Sequence, residues 1–174
     1  MKPSNEDKAH WVEEYGLEKE QRFCSIVLPR FGLFGYVNPE KEHDKYALDI
    51  IVEGVMGDLK CQETPFFLSE KKSGIPAEHE FSFNRNDYER YKTTHYQAVI
   101  YIWVRWKEQT GCGVWVPAVC GLWRCPFSEI DRQVLAGAYL HTYKNRVDDT
   151  QNNAPDSYLL DRRPMERLRQ VVKA

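Results

Sequence analysis

The chain holds 174 residues, 42% of them hydrophobic and 29% charged, with a formal net charge of −2. That is enough for one domain with a full core, and it excludes a wholly disordered chain. No stretch approaches the ~20 apolar residues of a membrane span. The N-terminal MKPSNEDKAHW lacks the apolar run of a signal peptide. Five cysteines without a scaffold spacing suit a reduced, cytoplasmic protein.

Charge is unevenly spread. Residues 1–80 hold 10 Lys/Arg against 16 Asp/Glu, a net of −6, and residues 81–174 hold 14 against 10, a net of +4. Asn5–Arg22 patterns as a helix, interrupted at Gly16, with Trp11, Val12 and Tyr15 on one side. Phe23–Leu28 reads as a first strand stopped by Pro29. Arg30–Lys45, with two glycines, a proline and many charges, reads as a loop.

Ala47–Val52 and Val55–Gln62 then read as a strand pair closed by Glu53-Gly54, because glycine in the second loop position suits a two-residue hairpin turn. That turn sets Val52 against Val55, Ile50 against Gly57 and Asp49 against Asp58. With side chains alternating, one face carries Leu48, Ile50, Val52, Val55, Leu59 and Cys61. The other carries Ala47, Asp49, Ile51, Met56, Asp58, Lys60 and Gln62. Opposed carboxylates destabilise a strand pair, so a positive charge is expected between them. Asp44 is a rival acid, but it lies outside the apolar pattern.

Downstream, Ser69–Glu80 reads as a flexible loop and Phe81–Phe83 as a brief strand. Asn84 offers an N-cap for a helix to about Lys92. Gln97–Trp106 is the strongest strand pattern, followed by a hairpin through Lys107–Gly113 into Val114–Val119. Ser128 and Asp131 suggest a capping box for a helix over Glu129–Tyr139, with Ile130, Val134, Leu135 and Ala138 inward. A polar linker (147–155) leads to a short basic helix, Pro164–Val172. Arg162, Arg163, Arg167 and Arg169 cluster there and could follow a phosphate backbone. Cys112, Cys120, Cys125 and His141 lack the paired spacing of a zinc site and read as ordinary thiols.

Asp49, followed on the next strand by Asp58-Leu59-Lys60, resembles the active-site hairpin of the PD-(D/E)XK nuclease superfamily. Leu48 stands where that family's proline would be, and Asp58 replaces its commoner glutamate. The triplets at Glu6 and Glu70 match by chance and lack the strand context. The resemblance implies an α/β (α+β) fold of restriction-endonuclease type, a mixed central sheet with the hairpin flanked by helices. It implies a core over 1–146, with 147–174 as linker and helix packed on the same domain. It also implies a Mg²⁺-dependent deoxyribonuclease, with Mn²⁺ as substitute, cutting DNA and often acting as a homodimer. Asp49, Asp58 and the Leu59 carbonyl would ligate the metal, Lys60 would serve the attacking water, and Gln62 would support it. An N-terminal glutamate often joins such a site, and Glu13, Glu14, Glu18 and Glu20 are all available. The rival readings are an inactive DNA-binding or assembly protein of the same fold and an unrelated α+β interaction protein with salt-bridged hairpin acids.

Overall fold

The computed structural model describes residues 18–142 and 156–171, which form a mixed α/β structure. Most of the helix expected over Asn5–Arg22, and the 147–155 linker, lie outside the described residues. The chain divides into two compact units, one ending at Leu59 and regained from Arg169, the other running Lys60–Leu168. No helix among the described residues is long and apolar enough to cross a membrane.

In the first unit, helix α1 is described over 18–22. It continues into a π-helical turn, Phe23–Val27, and a 3-10 turn, Leu28–Phe31. The strand expected over Phe23–Leu28 is therefore absent. Its buried positions are Phe23, Cys24, Val27 and Leu28, while Ile26 is exposed. That spacing of one and three is helical, not alternating. Pro29 sits in the first turn of the 3-10 segment, where its missing N–H costs nothing. The expected loop contains strand β1 (Gly35–Val37) and a 3-10 turn, Pro39–Glu42, capped by the Asn38 side chain accepting from the Glu40 N–H.

The hairpin has the register read from its turn. Strand β2 (Ile50–Val52) pairs antiparallel with β3 (Val55–Gln62), setting Ile50 against Gly57, Ile51 against Met56 and Val52 against Val55. β1 pairs with β2 on the other side, Tyr36 opposite Ile51. Glu53 (φ 51) and Gly54 (φ 79) both lie in the left-handed region, as a type I′ turn requires. Leu48, Ile50, Val52 and Leu59 are buried as expected, but Val55 is exposed beside the turn. The ladder begins at Ile50, so β2 is shorter than Ala47–Val52.

The second unit begins within β3. Helix α2 (Ser69–Ser73) occupies part of the expected loop, and β4 (Glu80–Asn84) follows. Helix α3 (Arg85–Thr94) is capped by the Asn84 side chain, which accepts from the Asn86 N–H. Strand β5 (Val99–Trp106) is apolar over nearly its full length. β6 (Gln109–Gly111) and β7 (Val114–Val116) close through Cys112-Gly113, again with both φ positive. β8 (Val119–Pro126) pairs antiparallel with β5 throughout.

Helix α4 (Phe127–Leu135) is shorter than expected, and Leu135 is exposed. β9 (Leu140–His141), β10 (Ser157–Asp161) and β11 (Glu166–Arg167) complete the unit. β10 lies between β4 and β9, and β11 pairs with β8. The C-terminal helix expected over Pro164–Val172 is thus replaced by a strand pairing in its described part. The core is aromatic: Phe83, Tyr91 and Phe127 pack with ring centroids 5.9–6.3 Å apart, and Tyr88 and Tyr96 join Phe127.

Glu80 lies fully buried at the start of β4. Its Oε2 accepts from Ser73 Oγ at 2.6 Å, while Oε1 has no hydrogen-bond partner. Burial pushes its pKa up to about 7, against the smaller opposing pull of Ser73 and Lys72. The folded state therefore holds a proton that the unfolded state has lost between about pH 4.5 and 7, and stability falls as pH rises through that window. Glu80→Gln, which keeps the acceptor from Ser73, should flatten this decline. Relative to wild type it should gain on the order of 2–3 kcal/mol at pH 8 and little at pH 4, measured by denaturant melts.

Candidate functional site

Three carboxylates of the first unit interact. Glu20 in α1 is 7% exposed and Asp58 in β3 is 2% exposed. Asp49 immediately precedes β2, one ladder step beyond the Ile50–Gly57 pair, where the register sets it opposite Asp58. A positive charge at Asp49 comes from Lys41, on the 3-10 turn, which joins it to Glu20. Its Nζ donates to Glu20 Oε1 at 2.5 Å and to Asp49 Oδ1 at 2.7 Å. The second Asp49 oxygen, Oδ2, accepts from the Leu59 N–H at 3.0 Å, tying the acid across the hairpin. Glu20 Oε2 is buried with no hydrogen-bond partner.

The electrostatics follow from this packing. Burial raises the Glu20 pKa; Lys41 and a hydrogen bond with Asp49 pull it back, and the Asp58 charge pushes it further up. Burial alone would lower the Lys41 pKa, but Asp49 and Glu20 together raise it, so the ammonium is retained. Glu20 and Asp49 thus share one cation, while the Asp58 charge opposes ionisation of Glu20.

Lys60, in the second unit, is committed to Asp87 of α3. Its Nζ donates to Asp87 Oδ2 at 2.8 Å and lies 5.0 Å from the Phe83 ring centroid. Arg90 donates to the other Asp87 oxygen at 2.8 Å. Burial would raise the Asp87 pKa, but the Lys60 and Arg90 charges outweigh it and hold the carboxylate ionised. Gln62 turns its Nε2 to the Thr64 carbonyl at 3.1 Å.

Among the described residues, no group of three or more His, Cys, Asp or Glu side chains is arranged to hold a metal ion. The donors are nonetheless of the right chemistry, hard carboxylate oxygens. What lies between Glu20 and Asp49 is an ammonium. Cys112, Cys120 and Cys125 are free thiols, and burial pushes Cys125 up to about 12.

Two features were not read from the sequence. Asp131 caps nothing in α4. It accepts from Tyr88 Oη at 2.7 Å and Tyr96 Oη at 3.0 Å and pairs with Lys92 at 3.1 Å, joining α3 to α4. Arg162 is not on a phosphate track. It is 2% exposed, donates to the Glu78 carbonyl and stacks 4.6 Å from the Trp123 ring and 5.5 Å from Trp106. Burial, with Arg167 nearby, lowers its pKa to about 10. Arg163 is spent on Asp161 at 2.6 Å. Comparison with protein-family models, curated proteins and solved structures finds nothing that matches the chain.

If Lys41 is the neutralising charge, Lys41→Ala leaves two carboxylates crowded and unpaired. Removing one partner of a buried pair costs 3–5 kcal/mol, and this half-buried one should cost about 1–3. In chelator that lowers Tm by roughly 2–4 °C per kcal/mol. Adding Glu20→Gln to Lys41→Ala should recover part of the loss. Additive losses in the double variant would show that Lys41 does not neutralise Glu20.

Proposed function

We propose that the chain hydrolyses DNA phosphodiester bonds in the manner of the PD-(D/E)XK nucleases that its hairpin resembles. What supports the reading is the pairing of Glu20 and Asp49 on the single ammonium of Lys41, beside an Asp58 whose charge bears on Glu20. The hairpin's register sets Asp49 opposite Asp58, as the sequence reading expected. The register also leaves Lys60 two residues beyond Asp58 along β3, on the same side of the strand by alternation.

In this reading Glu20, Asp49 and Asp58, with the Leu59 carbonyl, would hold Mg²⁺. The ion, when bound, supplies a water of lowered pKa and a charge that offsets the phosphate. Glu20 is the N-terminal glutamate that this reading enlists. A lysine held by Asp87 is set to act as a charged donor toward phosphate oxygens, not as a proton acceptor. The Leu59 N–H fixes Asp49 Oδ2, leaving Oδ1 as the outward donor. Gln62 supports the strand end beyond Lys60.

A second reading is favoured by a specific observation. Lys41 and Asp87 already satisfy the charges of Asp49 and Lys60, as an inert, salt-bridged hairpin requires. The chain would then be an interaction or DNA-binding protein without chemistry.

Nicking of supercoiled plasmid in Mg²⁺ and in chelator separates the two readings. The nuclease predicts metal-dependent nicking by wild type, reduced about 100-fold or more in Lys60→Ala and in Asp58→Asn. Glu70→Ala, in the exposed triplet that matches only by chance, should cut normally. Wild type that never nicks DNA, or a fully active Lys60→Ala, would rule the assignment out.

A further inference from the structure

We infer that α2 is a latch held shut by a proton on Glu80 and released as that proton leaves. The inference concerns the second unit alone and is independent of the hairpin's chemistry.

The geometry places the proton. Ser73 Oγ lies 2.6 Å from Glu80 Oε2 and 3.0 Å from the Ser69 carbonyl, and it accepts from the Ile75 N–H at 3.3 Å. A hydroxyl carries one hydrogen, so Ser73 cannot donate to both oxygens at once. With a carboxylate at Glu80, Ser73 turns to it and the Ser69 carbonyl loses that donor. With the proton on Oε2, the same contact runs the other way. Glu80 then donates to Ser73, and Ser73 donates to Ser69, so the whole set is made together. Glu80 Oε1, buried and without a hydrogen-bond partner, agrees with this state. An unpaired oxygen costs less on a neutral acid than on a carboxylate.

The cover over this acid is α2. Ser73, which bonds it, and Lys72, whose charge bears on it, both belong to that helix. On β10 opposite Glu80 stands Asp161, its carboxylate paired to Arg163. Before it in the chain, His79 and Glu78 lie 4.0 Å from each other. Lys72 Nζ lies 3.3 Å from His141 Nδ1 on β9, and burial and Lys72 hold that ring below the usual histidine range.

A five-residue helix is marginal by itself. Glu70, Lys71 and Lys72 of α2 are exposed, and its loop is closed by Ser69 Oγ on the Ile75 carbonyl and by the Ser73 contacts. Gly74, at φ 75, supplies a hinge at its end. An ionised Glu80 needs water, and moving α2 aside admits it. Opening returns Glu80 to its ordinary acidity. The open state is therefore favoured increasingly as pH rises from about 4.5 to about 7, and levels off above, where the closed state has also lost the proton.

The test is hydrogen–deuterium exchange of the full chain across this pH range and above it, read on the peptide that carries α2. After correction for the intrinsic pH dependence of exchange, the α2 amides of wild type should lose protection by up to about ten-fold per pH unit through the window, and little beyond it. A local opening exposes little surface. Dilute urea should therefore leave these rates unchanged while it speeds exchange in β5. Glu80→Gln, whose amide can donate to Ser73 at every pH, should hold its protection constant. Ser73→Ala, which removes the relay, should exchange faster than wild type at the acid end. Wild-type protection that ignores pH, as when Lys72 closes on an ionised Glu80 in place, would overturn the inference. So would the same pH dependence in Glu80→Gln, unchanged acid-end exchange in Ser73→Ala, or α2 amides that exchange only in step with β5.

Discussion

The first unit depends on the turn at Glu53-Gly54. Both residues take positive φ, which glycine does freely and glutamate at a cost on the order of 1 kcal/mol or more. The cost is offset locally. The Glu53 N–H donates to the Phe34 carbonyl at 2.9 Å, and the Phe34 N–H donates back to Glu53 Oε1 at 2.6 Å. The strained residue is thereby fixed to the chain leading into β1. With the turn pinned, the register of β2 against β3 cannot slip by one residue without turning Ile50 and Val52 outward. From that register follow the opposition of Asp49 and Asp58, the Leu59 N–H on Asp49, and the demand for a cation.

Why a lysine answers that demand follows from reach. Glu20 and Asp49 belong to segments separated by the whole of β1 and the 3-10 turn. A long stem rooted on that turn can bring one charge to both. Its donors meet Glu20 Oε1 and Asp49 Oδ1 together. Burial works against both partners of the pair, raising Glu20 and tending to lower Lys41. The mutual attraction is therefore strongest where water is least. Lys60 and Asp87 repeat the pattern in the second unit, with Arg90 as a further donor to Asp87.

What was legible in the sequence was local. The hairpin register followed from two residues and alternation, the α3 N-cap from Asn84, and β4 and β5 from their apolar runs. What was missed depended on partners far along the chain. Lys41 reaches back twenty-one residues to Glu20, and no pattern in the intervening loop marks it. Asp131 looked like a capping residue because Ser128 stands three positions before it. Its real partners, Tyr88 and Tyr96, lie 43 and 35 residues away. The C-terminal arginines suggested a short basic helix, but β10 pairs with β4 and β11 with β8, and such pairing leaves little periodicity in so short a segment. Phe23–Leu28 failed differently. Its β-branched content suggested a strand, while the spacing of its apolar residues was already that of a helical turn.

The Lys41 contact also bears on how the chain comes to be folded at all. Many metal sites cannot form until the ion arrives, because their ligands repel one another and folding waits on metal supply. Here the charges of Glu20 and Asp49 are met by a lysine made in the same translation product. The hairpin can therefore close without waiting on any charge from outside the chain.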